Sequence, residues 1–328
     1  NGKGSVSAFL RSVFECAGLK TGMFTSPHLV DFRERIQVQG DMISKEDTMR
    51  LGNRLLSMDF GVYPTMFDYC LAMALLYFKE QQCDVVILET GLGGTYDSTN
   101  ACGVPDVTVI AKIGFDHMAI LGDTLAQIAA EKAGIIKHGT ALVLESQEKE
   151  AMDVLNKAAE RADIKTTKVV NLDEIRILPQ KDGKQCFSYA GYDAVTMKML
   201  GVHQYENAVA AMLAAELFFE KYLAGKKNVP ERKALQHAIR EGIDRTQWMG
   251  RMELVSNDPF FLMDGAHNSN GVEALKKSLE TMYPDEKFHF IMGVMADKDY
   301  GEMIRELLPL ALDFKTVTVE SERALQGF

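Results

Sequence analysis

Residues 107–144 read VTVIAKIGFDHMAILGDTLAQIAAEKAGIIKHGTALVL. The run opens on an apolar, β-branched strand over 107–113 and closes on another over 141–144. Between them Thr124 stands three residues before Gln127, the spacing at which two side chains cap the free N–H groups of a helix's first turn. Leu125, Ile128, Ile135 and Ile136 mark the apolar stripe of a helix over 124–136. Lys132 falls inside that stripe. A lysine there must snorkel out, lose its charge or find anionic partners. Asp116 and His117 follow the first strand, so a histidine at a strand end stands beside a helix with an inward lysine.

The same alternation extends both ways. Upstream, Val6, Phe9, Leu10, Val13 and Phe14 share one face of a helix over 4–17. A strand over 22–25, a turn at Gly40–Asp41, helices over 44–58 and 67–79 and a buried strand over 84–88 follow. Downstream, 148–162 reads as a charged, solvated helix. Short alternating runs over 166–200 flank Asp182–Gly183, a hairpin signal, so a small antiparallel β insert is expected there. Helices over 204–223 and 231–242 come next, and 243–250 reads as a linker. A second α/β pattern begins near Arg251, with strands over 259–263, 288–293 and 315–319 and helices over 271–282 and 300–309. Strand–helix alternation of this kind predicts an α/β fold with a parallel sheet. The division expected is a first domain over 1–247 and a second, Rossmann-like and incomplete, over 248–328.

The chain has 328 residues, is 47% hydrophobic and carries a formal net charge of −10. That size supports two cores. The acidic balance argues against nucleic-acid and anionic-membrane partners. No apolar run is long enough to span a bilayer, and no secretory signal is seen. The five cysteines, Cys16, Cys70, Cys83, Cys102 and Cys186, are odd in number and scattered, with no C-x-x-C pair. They read as reduced thiols of a cytoplasmic protein.

Asn1-Gly2-Lys3-Gly4-Ser5 opens a helix. A phosphate loop needs small residues whose N–H groups face an anion, a lysine for the outer phosphates, a hydroxyl for Mg²⁺ and a helix N-terminus behind them. Lys3, Gly4 and Ser5 fit that order, although N-G-K-G is also an ordinary turn. Glu89 ends the strand over 84–88 and precedes Gly91, Gly93 and Gly94. A carboxylate at a strand's C-terminal end suits Mg²⁺; the plainer alternative is a strand end with a flexible turn. His117 ends the strand expected to neighbour it. A lone histidine is more often structural, but imidazole can ligate Mg²⁺ or Mn²⁺. Burial would lower the Lys132 pKa, exposing an amine able to add CO₂ as a carbamate; the alternative is a salt bridge to Glu131 or a strand-end carboxylate. Asp264-Gly265-Ala266-His267-Asn268 and Arg251 form a second constellation in the second domain. Two half-sites suggest a cleft that closes on its ligands. With no G-x-S-x-G, H-E-x-x-H or C-x-x-C motif, the available groups favour phosphoryl transfer.

These stretches together resemble the folylpolyglutamate synthases and bifunctional dihydrofolate synthases of the ATP-dependent Mur ligase superfamily. The resemblance runs through NGKGS (1–5), TGMFTSPHL (21–29), PTMFD (64–68), ETGLGGTYDSTN (89–100), residues 113–137, GVHQYENA (201–208), WMGRME (248–253) and DGAHN (264–268). It implies a P-loop ATPase domain followed by a glutamate-ligase domain, and a monomeric ligase that joins L-glutamate to a folate or dihydropteroate carboxylate through an acyl phosphate. It further implies that Gly2, Lys3 and Gly4 hold the ATP phosphates, with Asn207 near adenine, Arg251 near the phosphates, and Asp264 and His267 at the nucleotide and the closing cleft. Ser5, Glu89 and His117 would hold two Mg²⁺ ions with a carbamylated Lys132. Ser26, Pro27 and His28 would lie by the folate, and Asp97 in a region linked to pterin binding. Asp68 stands where the family more often has Glu, and Ser98 where it often has Ala. The resemblance also places both chain ends inside family elements, so a fragment is expected. The competing readings are a Mur-type amide ligase for another carboxylate and a non-catalytic nucleotide-binding protein.

Overall fold

The computed structural model describes residues 1–223, 231–296 and 298–320. Helix α1 (Lys3–Cys16) leads into β1 (Thr21–Phe24), β2 (Ile36–Val38), β3 (Asp41–Met42), α2 (Lys45–Leu56), α3 (Met66–Glu80) and β4 (Val85–Leu88). The sheet order is β3-β2-β1-β4, with β1 parallel to β4 and antiparallel to β2. Next come β5 (Val107–Ile110), α4 (Met118–Leu121), α5 (Leu125–Ala133), β6 (Ala141–Leu144), α6 (Lys149–Arg161) and β7 (Thr167–Val169). Strands β5, β6 and β7 form a wholly parallel sheet, as the strand–helix–strand reading of 107–144 requires.

Around this sheet two expected bounds are corrected. Strand β5 stops at Ile110 rather than 113, because the backbone beyond it turns to side chains: Lys112 N donates to Glu145 (2.6 Å) and Ile113 N to Gln147 (2.8 Å). Helix α5 ends at Ala133, capped by Gly134, rather than at 136. Nor do Glu89 and His117 end neighbouring strands: His117 lies beyond the end of β5, at the start of α4. Strands β4 and β5 lie in separate sheets, divided by a cavity of about 550 Å³ lined by Val85, Ile87, Val107 and Val109 with Leu10 and Phe14 of α1.

The insert is β8 (Arg176–Lys181), β9 (Lys184–Tyr189) and β10 (Tyr192–Met197), antiparallel throughout, with Asp182 and Gly183 both left-handed at its first turn. Helices α7 (Gln204–Leu223) and α8 (Arg232–Arg245) then pack on α1. Phe9 and Val13 of α1 are completely buried, together with Phe187 and Val209. Each such side chain contributes about 1.5–3 kcal/mol, so α1 is held rigidly beneath the loop at its start.

The second α/β region comprises β11 (Glu253–Asn257), β12 (Phe260–Met263), α9 (Ser269–Met282), β13 (Phe288–Met292), α10 (Tyr300–Leu307) and β14 (Ala311–Thr316). β13 and β14 are parallel, whereas β11 and β12 form a hairpin. β11 is absent from the sequence reading, because Glu253 and Ser256 interrupt its apolar pattern. β14 starts at Ala311, earlier than the expected 315. Among the described residues no helix is long and apolar enough to cross a membrane.

Candidate active site

Gly2 turns the chain into α1 with a left-handed backbone (φ 88°). A Cβ there would lie 2.3 Å from Asn207 Oδ1, so only glycine fits. Asn207 is buried on α7 and donates to Gln204 Oε1 (2.8 Å), and Gln204 Nε2 donates to Ser5 Oγ (3.3 Å). Gly2, Ser5 and Asn207 thus belong to one network around the N-terminus of α1. Its first turn carries no acidic side chain, leaving free N–H groups and the positive end of the helix dipole to attract an anion. Lys3, half-buried, opens the helix.

Glu89 follows β4 and is only 8% exposed. Its Oε2 accepts from Ser26 N at 3.1 Å. Burial pushes its pKa up, while Lys3, the Ser26 bond and Arg251 pull it down. Arg251 reaches this carboxylate electrostatically from beyond the linker.

Lys132 is half-buried on α5. Burial, then Lys3, lower its pKa to about 8 against the opposing pull of Asp116 and Asp97. Among the described residues it forms no salt bridge, so neither Glu131 nor a strand-end carboxylate neutralises it as the alternative supposed. The 89–100 loop packs directly on this end of α5. A Cβ on Gly94 would lie 2.6 Å from the Glu131 carbonyl oxygen and 2.8 Å from that of Lys132. Asp97 shapes that loop, accepting from Leu92 N (2.9 Å) and Thr99 N (3.0 Å). The two departures noted above touch each other: Ser98 Oγ donates to Asp68 Oδ1, so a hydroxyl meets the shorter carboxylate.

His117 has a left-handed backbone (φ 50°) and an exposed side chain at the start of α4. Burial, Lys298, His267 and Lys3 lower its pKa while Asp116 raises it, and the balance is downward. The neutral imidazole, which is the ligand form, therefore predominates at neutral pH. In the second region, Asp264 accepts from Met252 N and Ala266 N, each at 2.8 Å. One oxygen builds the turn at Ala266, and the other ties that turn to Met252 in the segment before β11. His267 is exposed and pairs through Nδ1 with Gly265 O (2.8 Å). Arg251 Nη1 donates to Gly250 O at 3.0 Å. After the cis Ser26–Pro27 bond, His28 Nδ1 accepts from Arg35 Nε (2.9 Å).

Sequence reasoning passed over Glu145, although it ends β6 as Glu89 ends β4. It is 1% exposed, with Oε1 unpartnered and Oε2 accepting from Lys112 N. Burial and then Glu206 push its pKa up to about 8. The native state therefore holds its proton to a higher pH than the unfolded chain. Stability from this group is full below pH 4.5 and is lost as pH rises through about 8. Glu145→Gln is expected to raise the melting temperature at pH above about 8 and leave it unchanged near pH 4. Differential scanning calorimetry at the two pH values checks this.

The Mur ligase middle domain matches residues 1–215, and the Mur ligase glutamate ligase domain matches residues 250–326. The dihydrofolate synthase/folylpolyglutamate synthase of Bacillus subtilis is 38% identical over 95% of the chain and 73% of that protein. This chain belongs to the folylpolyglutamate/dihydrofolate synthase family of Mur ligases. Solved members of the synthase family share its fold. The Mycobacterium tuberculosis folylpolyglutamate synthase complexed with ADP superposes at a TM-score of 0.87, with 30% identity, over 99% of this chain and 74% of that one. FolC of E. coli in complex with DHPP and ADP gives a TM-score of 0.85 with 28% identity, over 99% and 74%.

Proposed function

We propose that this protein binds ATP and joins L-glutamate to the carboxylate of a folate or dihydropteroate, releasing ADP and phosphate. The observation that carries this reading is that Lys3, Glu89 and Lys132 line one cavity at the start of α1, in a chain of the synthase family. The N–H groups of α1, with Gly2, Lys3 and Gly4, hold the ATP phosphates; Asn207 borders the base, and Arg251 and Asp264 border the nucleotide from the second region. The γ-phosphoryl passes to the substrate carboxylate, making an acyl phosphate. The glutamate amine then forms the C–N bond as the C–O bond to phosphate breaks, and the amine loses a proton. Ser26, Pro27, His28, Asp97 and His267 surround the folate and the incoming glutamate.

The donor set fits Mg²⁺. Among the described residues no three His, Cys, Asp or Glu side chains converge, but Glu89 is a buried hard-oxygen donor whose charge needs a cation, and His117 is a neutral imidazole. Ser5, Glu89, His117 and a carbamate on Lys132 would hold two Mg²⁺ ions. Such ions supply neutralisation of phosphate charge. We assign 1–247 to the ATP-binding domain and 248–328 to the glutamate-ligase domain, in a monomeric, cytoplasmic enzyme.

The test is phosphate release from ATP with L-glutamate plus either dihydropteroate or tetrahydrofolate, on the protein at its complete native length. Release with dihydropteroate is expected of a dihydrofolate synthase, bifunctional if tetrahydrofolate also serves. Release with tetrahydrofolate alone means a polyglutamate synthase. No release with either overturns the folate assignment, in favour of another Mur-type carboxylate or a non-catalytic role.

A further inference from the structure

One carboxylate joins the loop after β5 to the second α/β region. Asp116, on the loop between β5 and α4, accepts at Oδ2 from Asn268 Nδ2 (2.9 Å) and at Oδ1 from Lys298 Nζ (3.3 Å). Both donors come from the second α/β region. Asn268 is buried and also caps α9, accepting from Gly271 N at 2.8 Å. The His117 backbone N–H donates to the same Asp116 Oδ1 (2.9 Å). The Lys298 and Asp116 side chains are 15% and 27% exposed, so solvent screens this pair less than a surface pair. The contact is steric as well: a Cβ on Gly114 would lie 2.4 Å from Asn270 Oδ1, in the first turn of α9.

We infer that Asp116 is a positioning residue that latches the DGAHN turn and the Lys298 loop onto the loop carrying His117. It fixes the distance between the half-site built on β4 and α5 and the half-site built on α9. The kinetic part of its test rests on the ligase reading above; the structural part does not. The neighbouring groups are His117, whose Nε2 is 3.8 Å from Asp116 Oδ1, and Asn1, whose Oδ1 accepts from Asn268 Nδ2 at 3.3 Å. Neither can replace the bond to Lys298, because neither brings a cation from the second region.

The experiment compares Asp116→Asn, Lys298→Met and the double variant at the protein's complete native length. It measures kcat and KM for glutamate, and hydrogen exchange of residues 113–118 and 266–271 in the presence of ATP and Mg²⁺. Each single variant is expected to raise the glutamate KM and lower kcat together, with about a tenfold loss in kcat/KM. Exchange should be faster in both segments, with an unchanged melting temperature. The double variant should be no worse than the worse single one, because the two residues act as one unit. The charge swap Asp116→Lys with Lys298→Asp should recover part of the protection. Single effects that multiply, unchanged exchange at 266–271, or a loss in Asp116→Asn that Lys298→Met does not share would each overturn the latch. Wild-type protein that releases no phosphate would sink the ligase reading, while the exchange comparison would still decide the latch.

Discussion

Lys132→Ala is expected to cut turnover by about a thousandfold, with part of the rate restored by acetate or another short carboxylic acid. The lysine is half-buried, near Lys3, and has no salt bridge among the described residues. With its pKa drawn down to about 8, a sizeable fraction of the amine is neutral near neutral pH. Such an amine attacks CO₂: an N–C bond forms, a proton leaves, and a cation becomes an anion with two oxygens. On this chain the exchange would remove a desolvated positive charge near Lys3 and would supply hard-oxygen donors to the cavity that Glu89 also lines. Truncation to alanine leaves a void of about the size of a small carboxylate, which is why an added acid can substitute. Phosphate release is measured with and without acetate, in bicarbonate-free and in CO₂-equilibrated buffer. Full activity of Lys132→Ala in bicarbonate-free buffer would overturn the role. A lysine serving only as structural support would lose stability on truncation and gain nothing from acetate.

Where the cause of an element is local, the chain's own pattern predicts it. Thr124 and Gln127 cap α5 reciprocally, as their spacing requires. β6 spans the expected 141–144, and the turn at Asp182–Gly183 takes the left-handed backbone expected of that pair. The errors have distant causes. β5 ends early because Glu145 and Gln147, more than thirty residues on, capture its next N–H groups. The split between β4 and β5 is a matter of pairing, which no single strand's composition encodes. The bonds that hold Asp97 and Asp264 in place are likewise not written in one local pattern: Asp97 accepts from Leu92 N and Thr99 N, and Asp264 from Ala266 N and from Met252 N in the segment before β11. The bond from Lys298 to Asp116 crosses 182 positions. Glu145 is the one omission with a local signal, a carboxylate directly after a buried strand.

Glu89→Gln is the second large effect, and it should move activity and stability in opposite directions. Turnover is expected to fall by about a hundredfold or more, since the amide keeps the size but loses the charge facing Lys3 and a bound cation. Stability is expected to rise. Burial is the leading influence on Glu89 and pushes its pKa above the ordinary 4.5, with Lys3 and Arg251 offsetting only part of it. A carboxyl whose pKa is higher in the folded than in the unfolded state stabilises fully below the unfolded value and progressively less as pH rises. Above the ordinary carboxylate range the native protein must either keep Glu89 protonated or hold a buried charge, and either costs more than the ionised carboxylate of the unfolded chain. Glutamine removes that cost and can still accept the Ser26 N–H through its amide oxygen. Melting temperatures of the two proteins should coincide near pH 4 and separate above it, the variant being the more stable by several degrees at about pH 8. Adding Mg²⁺ with ATP should then narrow the gap by stabilising only the parent. Equal melting temperatures across the whole range would mean that Lys3 and Arg251 already neutralise Glu89 in full. Retained turnover would remove the carboxylate from the reaction altogether.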